Sequence, residues 1–337
     1  MRMTLKKLGE LAGVSSACVS NILNGKTQEY TDETIARVKK IANEYNYRPN
    51  SIAKSMVTKS TMTLGLILPD ISNPYFPELA KGVENKAFEL GYNIIYLNSD
   101  EDILKERMAF RTLDQKMVDG VIFIPSINSI ENREIIEKFS VPIVTIDRLL
   151  DIAGIMGEVV SDDYQGSRTA TRYLIQNGHK EILVLSGDRY MGMRSARICG
   201  FCDEMKENGL TVKKENIIFG KYKVEFGYQA MTEFLKQERA LDAVYACSDM
   251  IAIGVLQALG EAGLSVPKDV SLMGYDDIYM SQYLHPPLTT MNQPKFAMGE
   301  KAVEMMVGLI QKNDRERQKL TLESSLVVRK SIKKKRK

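Results

Sequence analysis

The chain lacks the residues and motifs on which several large classes of enzyme depend. It contains only two histidines, His179 and His285, so few imidazole side chains could act as a general acid or base near neutral pH. Neither a Gly-x-Gly-x-x-Gly turn nor a Gly-x-Ser-x-Gly elbow occurs, which disfavours an α/β dehydrogenase or hydrolase. We therefore expect no catalytic residues, no cofactor and no enzymatic activity.

Cysteine and long apolar runs are also scarce. The four cysteines, at positions 18, 199, 202 and 247, are scattered and have no histidine cluster near them. We expect reduced thiols and no metal site. No stretch of about 18 uninterrupted apolar residues occurs, and no signal-peptide core precedes the first predicted helix. These absences predict a cytoplasmic protein without a membrane partner.

The net charge is small but unevenly distributed. The 337 residues carry a formal charge of +3. Residues 1–60 hold ten Lys or Arg against five Asp or Glu, and residues 329–337 hold seven basic residues and no acid, so the segment between them is acidic. A basic head on an acidic body indicates that one end meets a phosphate backbone. We expect the basic tail, residues 331–337, to be a solvated, disordered end.

The first 24 residues predict two short amphipathic helices around a tight turn. Leu5, Leu8 and Ala12 mark one apolar face at helical spacing. Gly13 turns the chain, and Ser15 is placed to cap the second helix. That second helix presents a face of small polar residues, which suits the DNA major groove. An ordinary helical hairpin is the alternative interpretation of these residues.

A third helix is predicted to begin after Thr31, an N-cap residue followed by two acids in the first turn. Three helices can close a small core. The proline at position 49 then breaks the helical pattern, and residues 50–56 offer one more short helix that is marginal in isolation. We predict a helix-turn-helix domain over 1–49 and a hinge helix with linker over 50–61.

Several short motifs stand at a specific spacing in this part of the chain: Thr4-Leu5, Ala12-Gly-Val-Ser15, Val19-Ser20, Asn24-Gly25, Tyr47-Arg-Pro-Asn50 and Ile52-Ala53. Together they resemble the lactose repressor family of bacterial transcription regulators, also called LacI/GalR. The resemblance continues over nearly the whole chain.

From residue 62 onward, buried apolar runs alternate with amphipathic helices. The runs predict two series of parallel strands: 64–69, 93–97, 120–124 and 142–146, then 182–185, 217–219, 243–246 and 270–273. The fold class is therefore an N-terminal all-α helix-turn-helix domain plus an α/β two-lobed, periplasmic-binding-protein-like core with two doubly wound parallel sheets. A predicted helix near 295–312 and a strand-like run at 324–328 follow the last strand of the second series and do not simply continue it. We therefore expect the chain to cross back between the lobes.

The predicted two-lobed domain spans 62–330. The resemblance implies a first lobe at about 62–161 and 292–320, and a second lobe at about 163–290. Ligands of such sheets bind beyond the carboxyl ends of the strands. The candidate effector-binding residues at those positions are Asn73, Tyr75, Phe76, Asp147, Arg148, Arg197, Ser248 and Asp276.

The candidate effector is a small polyol or sugar, with sugar acids and sugar phosphates as further candidates. An arginine and a carboxylate in one cleft can clamp neighbouring hydroxyls, and an aromatic ring can cover the apolar face of a sugar. The resemblance places Arg197 and Asp276 at the family's cleft arginine and carboxylate. It also assigns the Asp162-Asp163 pair to a turn, where we expect helix capping and no ligand contact.

The resemblance implies a palindromic, double-stranded operator DNA as partner. The family's base-reading positions correspond to Ser16, Ala17 and Asn21, and its phosphate-contacting positions to Thr4, Ser15, Cys18, Ser20 and Asn24. In the hinge, Asn50, Ala53 and Lys54 are expected at the DNA, and Met56 falls where the family places a leucine that wedges into the minor groove.

We thus expect a homodimeric repressor of carbohydrate metabolism whose hinge and DNA affinity respond to a ligand between the lobes. The alternative within regulators is a catabolite-control repressor whose corepressor is a phosphorylated partner protein bound to the surface of the first lobe. A transport-type sugar-binding protein would share the lobes, but it would need a signal peptide and would lack the first 57 residues.

Overall fold

The structure is a computed structural model that describes residues 3–47, 55, 58, 60–126, 129–187, 195–312 and 316–335. The chain divides into two compact units, Met1–Thr61 and Met62–Lys337. Of the predicted hinge and linker at 50–61, the described residues are 55, 58, 60 and 61, so the predictions for Asn50, Ala53, Lys54 and Met56 lie outside the described residues.

The first unit is a helix-turn-helix with a third helix behind it. The helices are α1 (Leu5–Ala12), α2 (Ser16–Leu23) and α3 (Asp32–Glu44). Each begins after a polar cap, predicted for Ser15 and Thr31 but not for Thr4, since the side chains at 4, 15 and 31 accept hydrogen bonds from backbone N–H groups of the first turn. Gly13, in the left-handed conformation at φ 66°, ends α1.

The core of this unit is small and apolar. Leu8, Val19, Ile22 and Val38 are all at most 1% exposed and pack together. Gly9 is required at the contact of α1 with the turn, because a Cβ there would lie 2.7 Å from the Val14 carbonyl oxygen. The three helices therefore pack as one unit and leave the polar face of α2 outside.

The second unit holds two six-stranded sheets. Its strands are β1 (Thr63–Leu68), β2 (Asn93–Asn98), β3 (Gly120–Phe123), β4 (Ile143–Ile146), β5 (Ile155–Ser161), β6 (Ile182–Ser186), β7 (Ile217–Phe219), β8 (Ala243–Ala246), β9 (Ser271–Asp276), β10 (Thr289–Asn292), β11 (Gln318–Leu322) and β12 (Ser325–Val327). Its helices are α4 (Tyr75–Glu89), α5 (Ile103–Gln115), α6 (Arg133–Glu137), α7 (Asp163–Gln176), α8 (Ala196–Glu207), α9 (Val224–Leu235), α10 (Asp249–Glu261) and α11 (Lys295–Lys312).

The sheets define two lobes. Lobe 1 contains the sheet β11-β5-β4-β3-β1-β2 and lobe 2 the sheet β12-β10-β9-β8-β6-β7. All pairs in lobe 1 are parallel, and in lobe 2 only β12 runs antiparallel, against β10. This confirms the predicted doubly wound architecture, because helices that follow the strands cover both sheets.

The chain passes between the lobes three times, after β5, after β10 and after β11. Helix α11 follows a lobe 2 strand but packs on α4 of lobe 1. Their close approach requires Gly82, where a Cβ would lie 2.1 Å from the Phe296 carbonyl oxygen. All three crossings lie at the carboxyl ends of the strands, so this end of each sheet faces the other lobe.

The prediction of a solvated C-terminal tail is wrong for residues 331–335. Ser331 is 1% exposed, and its hydroxyl donates to Leu272 O at 2.6 Å. The Lys333 N–H donates to Ser271 Oγ at 3.1 Å, and Lys335 forms an ion pair with Asp242. Backbone pairing with lobe 2 therefore overrides the tendency of a basic terminus to stay solvated.

The remaining expectations concern membranes and thiols. Among the described residues, no helix is long and apolar enough to span a bilayer. All four cysteines are free thiols.

Candidate functional site

A cavity of about 560 Å³ lies between the lobes, at the carboxyl ends of both sheets. We call it the cleft. All eight candidate effector residues line it: Asn73, Tyr75, Phe76, Asp147, Arg148, Arg197, Ser248 and Asp276. They lie at or after the ends of five strands that are far apart in sequence, β1, β4, β6, β8 and β9, as expected for a parallel sheet edge. The structure thus brings the predicted set together, while their role as ligand contacts stays a prediction.

Lobe 1 contributes an aromatic wall from the start of α4. The Asn73 side-chain oxygen accepts a hydrogen bond from the Tyr75 N–H at 3.1 Å, which fixes the turn that leads from β1 into the helix. Tyr75 and Phe76 stand edge to face, with ring centroids 5.2 Å apart. Both rings are buried, at 3% and 4% exposure, so they form a rigid apolar surface.

A partly buried acid and a partly buried base follow β4 in the same lobe. Asp147 has a φ of 69°, and its Oδ1 accepts a 2.6 Å hydrogen bond from the Tyr75 hydroxyl. Burial raises the pKa of Asp147 above its usual value, although Arg148 opposes the shift. Arg148 Nη1 donates to Glu101 Oε1 at 2.9 Å and to Pro125 O at 2.8 Å. Both charged groups are therefore held in place before any ligand arrives.

Lobe 2 contributes Arg197 from the first turn of α8. Its Nε donates to Asp163 Oδ2 at 3.0 Å, and its Nη1 donates to Cys247 O at 2.6 Å. The guanidinium lies 4.1 Å from the Tyr275 ring centroid, a cation–π contact. Nη1 is also 3.5 Å from Asp276 Oδ1. Most of its hydrogen-bonding capacity is thus used within the protein.

Asp276 ends β9 and faces Arg197 across the cleft floor. Its Oδ1 accepts from Gln293 Nε2 at 2.7 Å, and its carbonyl oxygen accepts from Lys295 Nζ at 2.6 Å. Burial raises the pKa of Asp276 to about 6, while Arg197 and the Ser248 hydroxyl act in the opposite direction. Ser248 itself caps α10 by accepting from the Met250 N–H at 3.2 Å.

The prediction that the aspartates at 162 and 163 act as helix caps is right for Asp162 and incomplete for Asp163. Asp162 caps α7 as expected, accepting from the Gln165 N–H at 3.0 Å. Asp163 does not act only as a cap, because it lines the cleft and forms the ion pair with Arg197. The capping signal concealed this role, since consecutive acids at a helix start need no further explanation.

Gln293 is the main cleft residue that the sequence analysis missed. Its Oε1 lies 2.6 Å from Ser161 Oγ and 3.1 Å from the Tyr75 hydroxyl, both in lobe 1. Its Nε2 donates to Asp276 of lobe 2. One amide therefore joins the two lobes at the cleft floor. Tyr222 also lines the cleft and was missed, as it stands in a loop without a motif.

The first unit contains the face of α2 that is predicted to contact DNA bases, which we call the reading face. Ser16 and Ala17 are exposed, and Ser20 and Asn21 are half-buried beside them. Asn21 Nδ2 donates to the Tyr30 hydroxyl at 2.9 Å, so its amide is oriented by the loop before α3. A small, polar, exposed helix face of this kind can enter a major groove.

The candidate phosphate contacts surround that face. Thr4 and Ser15 cap α1 and α2, so both helix N-termini are available to an anion. Asn24 is exposed, and its side chain donates to Ser20 O at 2.7 Å. The Cys18 side chain packs in the core of this unit at 8% exposure, and the phosphate contact at this position stays a prediction.

Two family models match the chain. Residues 4–50 match the model described as bacterial regulatory proteins, lacI family. Residues 61–331 match the model described as periplasmic binding proteins and sugar binding domain of LacI family.

Individual proteins are similar over nearly the full length. The HTH-type transcriptional repressor PurR of Pasteurella multocida is 33% identical over 332 residues, which cover 98% of each chain. A lac repressor dimer bound to operator and the anti-inducer ONPF has a TM-score of 0.86 at 24% identity, covering 98% of this chain and 99% of that one. The complex of the transcriptional regulator CelR with cellobiose has a TM-score of 0.73 at 28% identity, covering 98% and 100%.

Proposed function

We propose, because this chain belongs to the LacI family of bacterial regulatory proteins, that it is a transcriptional repressor whose operator affinity is set by a small molecule in the cleft. The observation that carries the proposal is the pairing of two features in one chain. One is an exposed polar helix face in a helix-turn-helix unit, and the other is a cleft that gathers eight polar and aromatic residues predicted from sequence.

The DNA-binding step uses α2 as the reading helix. Ser16, Ala17 and Asn21 meet base edges in the major groove, while Thr4 and Ser15 place helix N-termini at phosphates. The short side chains at 16 and 17 let the helix backbone approach the bases closely. A homodimer presents two such helices to a palindromic operator, as two-fold symmetry requires.

The effector is a carbohydrate-like molecule bound between the lobes. Tyr75 and Phe76 cover its apolar face, and Asp147 and Asp276 accept hydrogen bonds from its hydroxyls. The CelR structure, which holds cellobiose, supports a sugar in a protein of this architecture. The cleft of about 560 Å³ has the size typical of small-molecule sites.

Coupling to DNA follows from the position of the ligand at the lobe crossings. A ligand that contacts Asp147 in lobe 1 and Asp276 in lobe 2 favours one relative position of the lobes over another. The position of the lobes then changes operator affinity through the hinge at 50–61. Because the two binding events are coupled, operator binding changes ligand affinity by the same factor. Operator affinity measured with and without the ligand gives the sign of this change.

The DNA-binding step is tested by selecting genomic fragments with the purified full-length protein and measuring their affinity by gel shift. Ala17→Glu, on the reading face, should abolish preference for the selected fragment by repelling phosphates and base acceptors. Ala36→Glu is the matched control, because residue 36 is exposed on α3 and away from α2. Equal losses in both variants, or no selected fragment at all, would refute the proposal.

The effector step is tested with Arg197→Ala and Asp276→Ala. Both variants should keep operator binding and lose its response to an added ligand. A full ligand response in both variants would remove these residues from the effector site.

A further inference from the structure

We propose that lobe 1 carries a second ligand site, which takes a small aromatic zwitterion such as an aromatic α-amino acid. The site is a groove of about 400 Å³ between helix α5 and residues 131–139, which we call the α5 groove. Its volume lies within the range of small-molecule sites. None of the described residues that line the α5 groove also lines the cleft, so the two are separate cavities.

The floor of the α5 groove is apolar. Phe110 of α5 is fully buried, and its ring stands edge to face with that of Phe139, with ring centroids 5.4 Å apart. Phe139 and Ile135 are half-buried, so part of each side chain stays open to the groove. An aromatic ring that packs on Phe139 would remove this apolar surface from water and make the offset or edge contacts that aromatic pairs prefer.

The charged groups around this floor are balanced in sign. Three are basic and three are acidic: Arg107, Arg111, Lys138, Asp114, Glu131 and Glu134. Lys138 Nζ donates to Glu134 Oε1 at 2.7 Å, so these two groups neutralise each other. The other two basic and two acidic groups form no ion pair with any described residue. A ligand with one positive group, one negative group and no net charge therefore complements the set.

The two arginines can hold the carboxylate of such a ligand. Arg107 donates from Nε to Asn132 Oδ1 at 3.0 Å, while its terminal nitrogens donate to no described residue. Arg111 is exposed, and no described residue accepts a hydrogen bond from its guanidinium. The two side chains stand one helical turn apart on α5, so they repel each other and can share one carboxylate.

Asp114 supplies the acceptor for the ammonium. It follows Arg111 by three residues on the same face of α5, so the two side chains are neighbours on the helix surface. An α-amino acid carries its ammonium and its carboxylate on the same carbon, and it can therefore meet Asp114 and Arg111 together. A simple aromatic acid or amine satisfies only one of them.

Buried hydrogen bonds connect the α5 groove to the cleft. Asn132, which accepts from Arg107, donates from Nδ2 to Glu106 Oε1 at 2.9 Å. Glu106 is fully buried, and its Oε2 accepts from the Ser126 N–H at 3.2 Å. Ser126 lines the cleft. A carboxylate bound to Arg107 would bias this series of contacts, so we expect an occupied groove to change operator affinity, and this expectation alone rests on the proposed function.

The test measures the binding of matched ligands to the full-length protein by calorimetry at constant pH and ionic strength. The aromatic amino acids phenylalanine, tyrosine and tryptophan carry the ring and both charges. Hydrocinnamate lacks the ammonium, phenethylamine lacks the carboxylate, and alanine lacks the ring. We expect at least one aromatic amino acid to bind, and each incomplete ligand to bind at least about tenfold more weakly.

Variants locate the bound amino acid. Arg111→Gln should weaken its binding at least about tenfold, and Asp114→Asn should remove the preference for phenylalanine over hydrocinnamate. Arg133→Gln is the matched control, since that side chain in the same lobe is 53% exposed and does not line the groove. Asp276→Ala, a change in the cleft, should also leave binding unchanged. Circular dichroism verifies that each variant is folded.

The connection to the cleft is measured separately. Saturating aromatic amino acid should change operator affinity by at least about threefold in the wild type. Glu106→Gln should keep amino-acid binding and lose this change, because the buried carboxylate joins Asn132 to Ser126. A full change in Glu106→Gln, or none in the wild type, refutes the connection.

Four results would overturn the site itself. They are no binding of any aromatic amino acid, equal binding of phenylalanine and an incomplete ligand, equal losses in Arg111→Gln and Arg133→Gln, or loss of binding in Asp276→Ala, which would place the amino acid in the cleft. A change of oligomeric state in Arg111→Gln without amino-acid binding, measured by sedimentation, would assign the groove to a contact between copies and also overturn it. Calorimetry uses no DNA, so these failures are independent of the proposed function.

Discussion

Replacement of Lys295 by methionine should destabilise the second unit by about 2–4 kcal/mol. Lys295 begins α11 and is 1% exposed, yet its ammonium has a full set of acceptors. Nζ donates to Asp276 O at 2.6 Å, to Asp277 O at 3.1 Å and to Gln293 O at 3.3 Å, and it lies 3.5 Å from Glu78 of lobe 1. Methionine fills nearly the same volume, so the change removes the charge without opening a cavity.

The magnitude follows from the acceptors left behind. Each buried carbonyl that loses its donor costs about 1–3 kcal/mol, and a hydrogen bond to a charged group is at the upper end of that range. The gain from no longer burying an ammonium offsets part of the loss. Two of the carbonyls belong to residues in a strained conformation, with φ 109° at Asp276 and 52° at Asp277. Lys295 holds that backbone in place, so its loss should also misplace the cleft carboxylate.

Urea titration followed by far-UV circular dichroism and tyrosine fluorescence measures the effect, since the chain has no tryptophan. Lys301→Met is the matched control. It makes the same substitution on the same helix, at a side chain that is 47% exposed and pairs with Glu304, and it should change the unfolding free energy by less than about 0.5 kcal/mol. A Lys295→Met variant as stable as Lys301→Met would show that these contacts contribute no stability.

Three further perturbations test separate parts of the structure. Gly9→Ala should weaken the first unit by about 1–3 kcal/mol through the clash with the Val14 carbonyl, seen as an earlier unfolding transition and weaker operator binding than in Glu10→Ala. Ser331→Ala should lower the unfolding free energy in urea by about 1–3 kcal/mol because it removes two buried hydrogen bonds, whereas a solvated tail would give no change. Burial raises the pKa of Asp249 from 3.8 to about 7, so the folded state holds a proton that the unfolded chain releases. The stability of the wild type relative to Asp249→Asn should therefore fall as pH rises from about 4 to 7, and a constant difference in urea midpoints at pH 4.5 and 7.5 would contradict this.

Local signals in the sequence were sufficient for most of the fold. The caps at Ser15 and Thr31 were predicted because a polar side chain before an apolar periodic run commonly caps a helix, whereas the cap at Thr4 was not predicted. Most of the predicted strands are buried because both of their faces are covered, which leaves continuous apolar runs. The predicted burial is wrong for β2 and incomplete for β7, because both are edge strands. Helical spacing from Val38 and Ala42 would place Tyr45 on the inner face of the third helix, but Tyr45 is 52% exposed. The helix ends at Glu44, and Tyr47 packs on the core in its place.

Strands β5, β10 and β11 were not predicted, for reasons visible in their residues. β5 contains Gly157 and the buried Glu158, which is acceptable only because Arg317 pairs with it at 2.7 Å. β10 is Thr-Thr-Met-Asn, too polar to read as a buried strand. β11 is an edge strand with alternating exposure. Their partners lie far away in sequence, so only the assembled sheets identify them.

The strands that were not predicted explain why only some of the cleft residues could be predicted from the sequence. Residues after the predicted strands were assigned to the cleft, and the structure gathers all of them there. Ser161 ends β5 and Gln293 follows β10, two strands that were not predicted, so no rule pointed to these residues. Yet these two residues are hydrogen-bonded to each other at 2.6 Å, at two of the three points where the chain changes lobes. The contacts that join the lobes therefore coincide with the crossings of the chain, and a hinge motion between the lobes would have to bend the chain at these crossings.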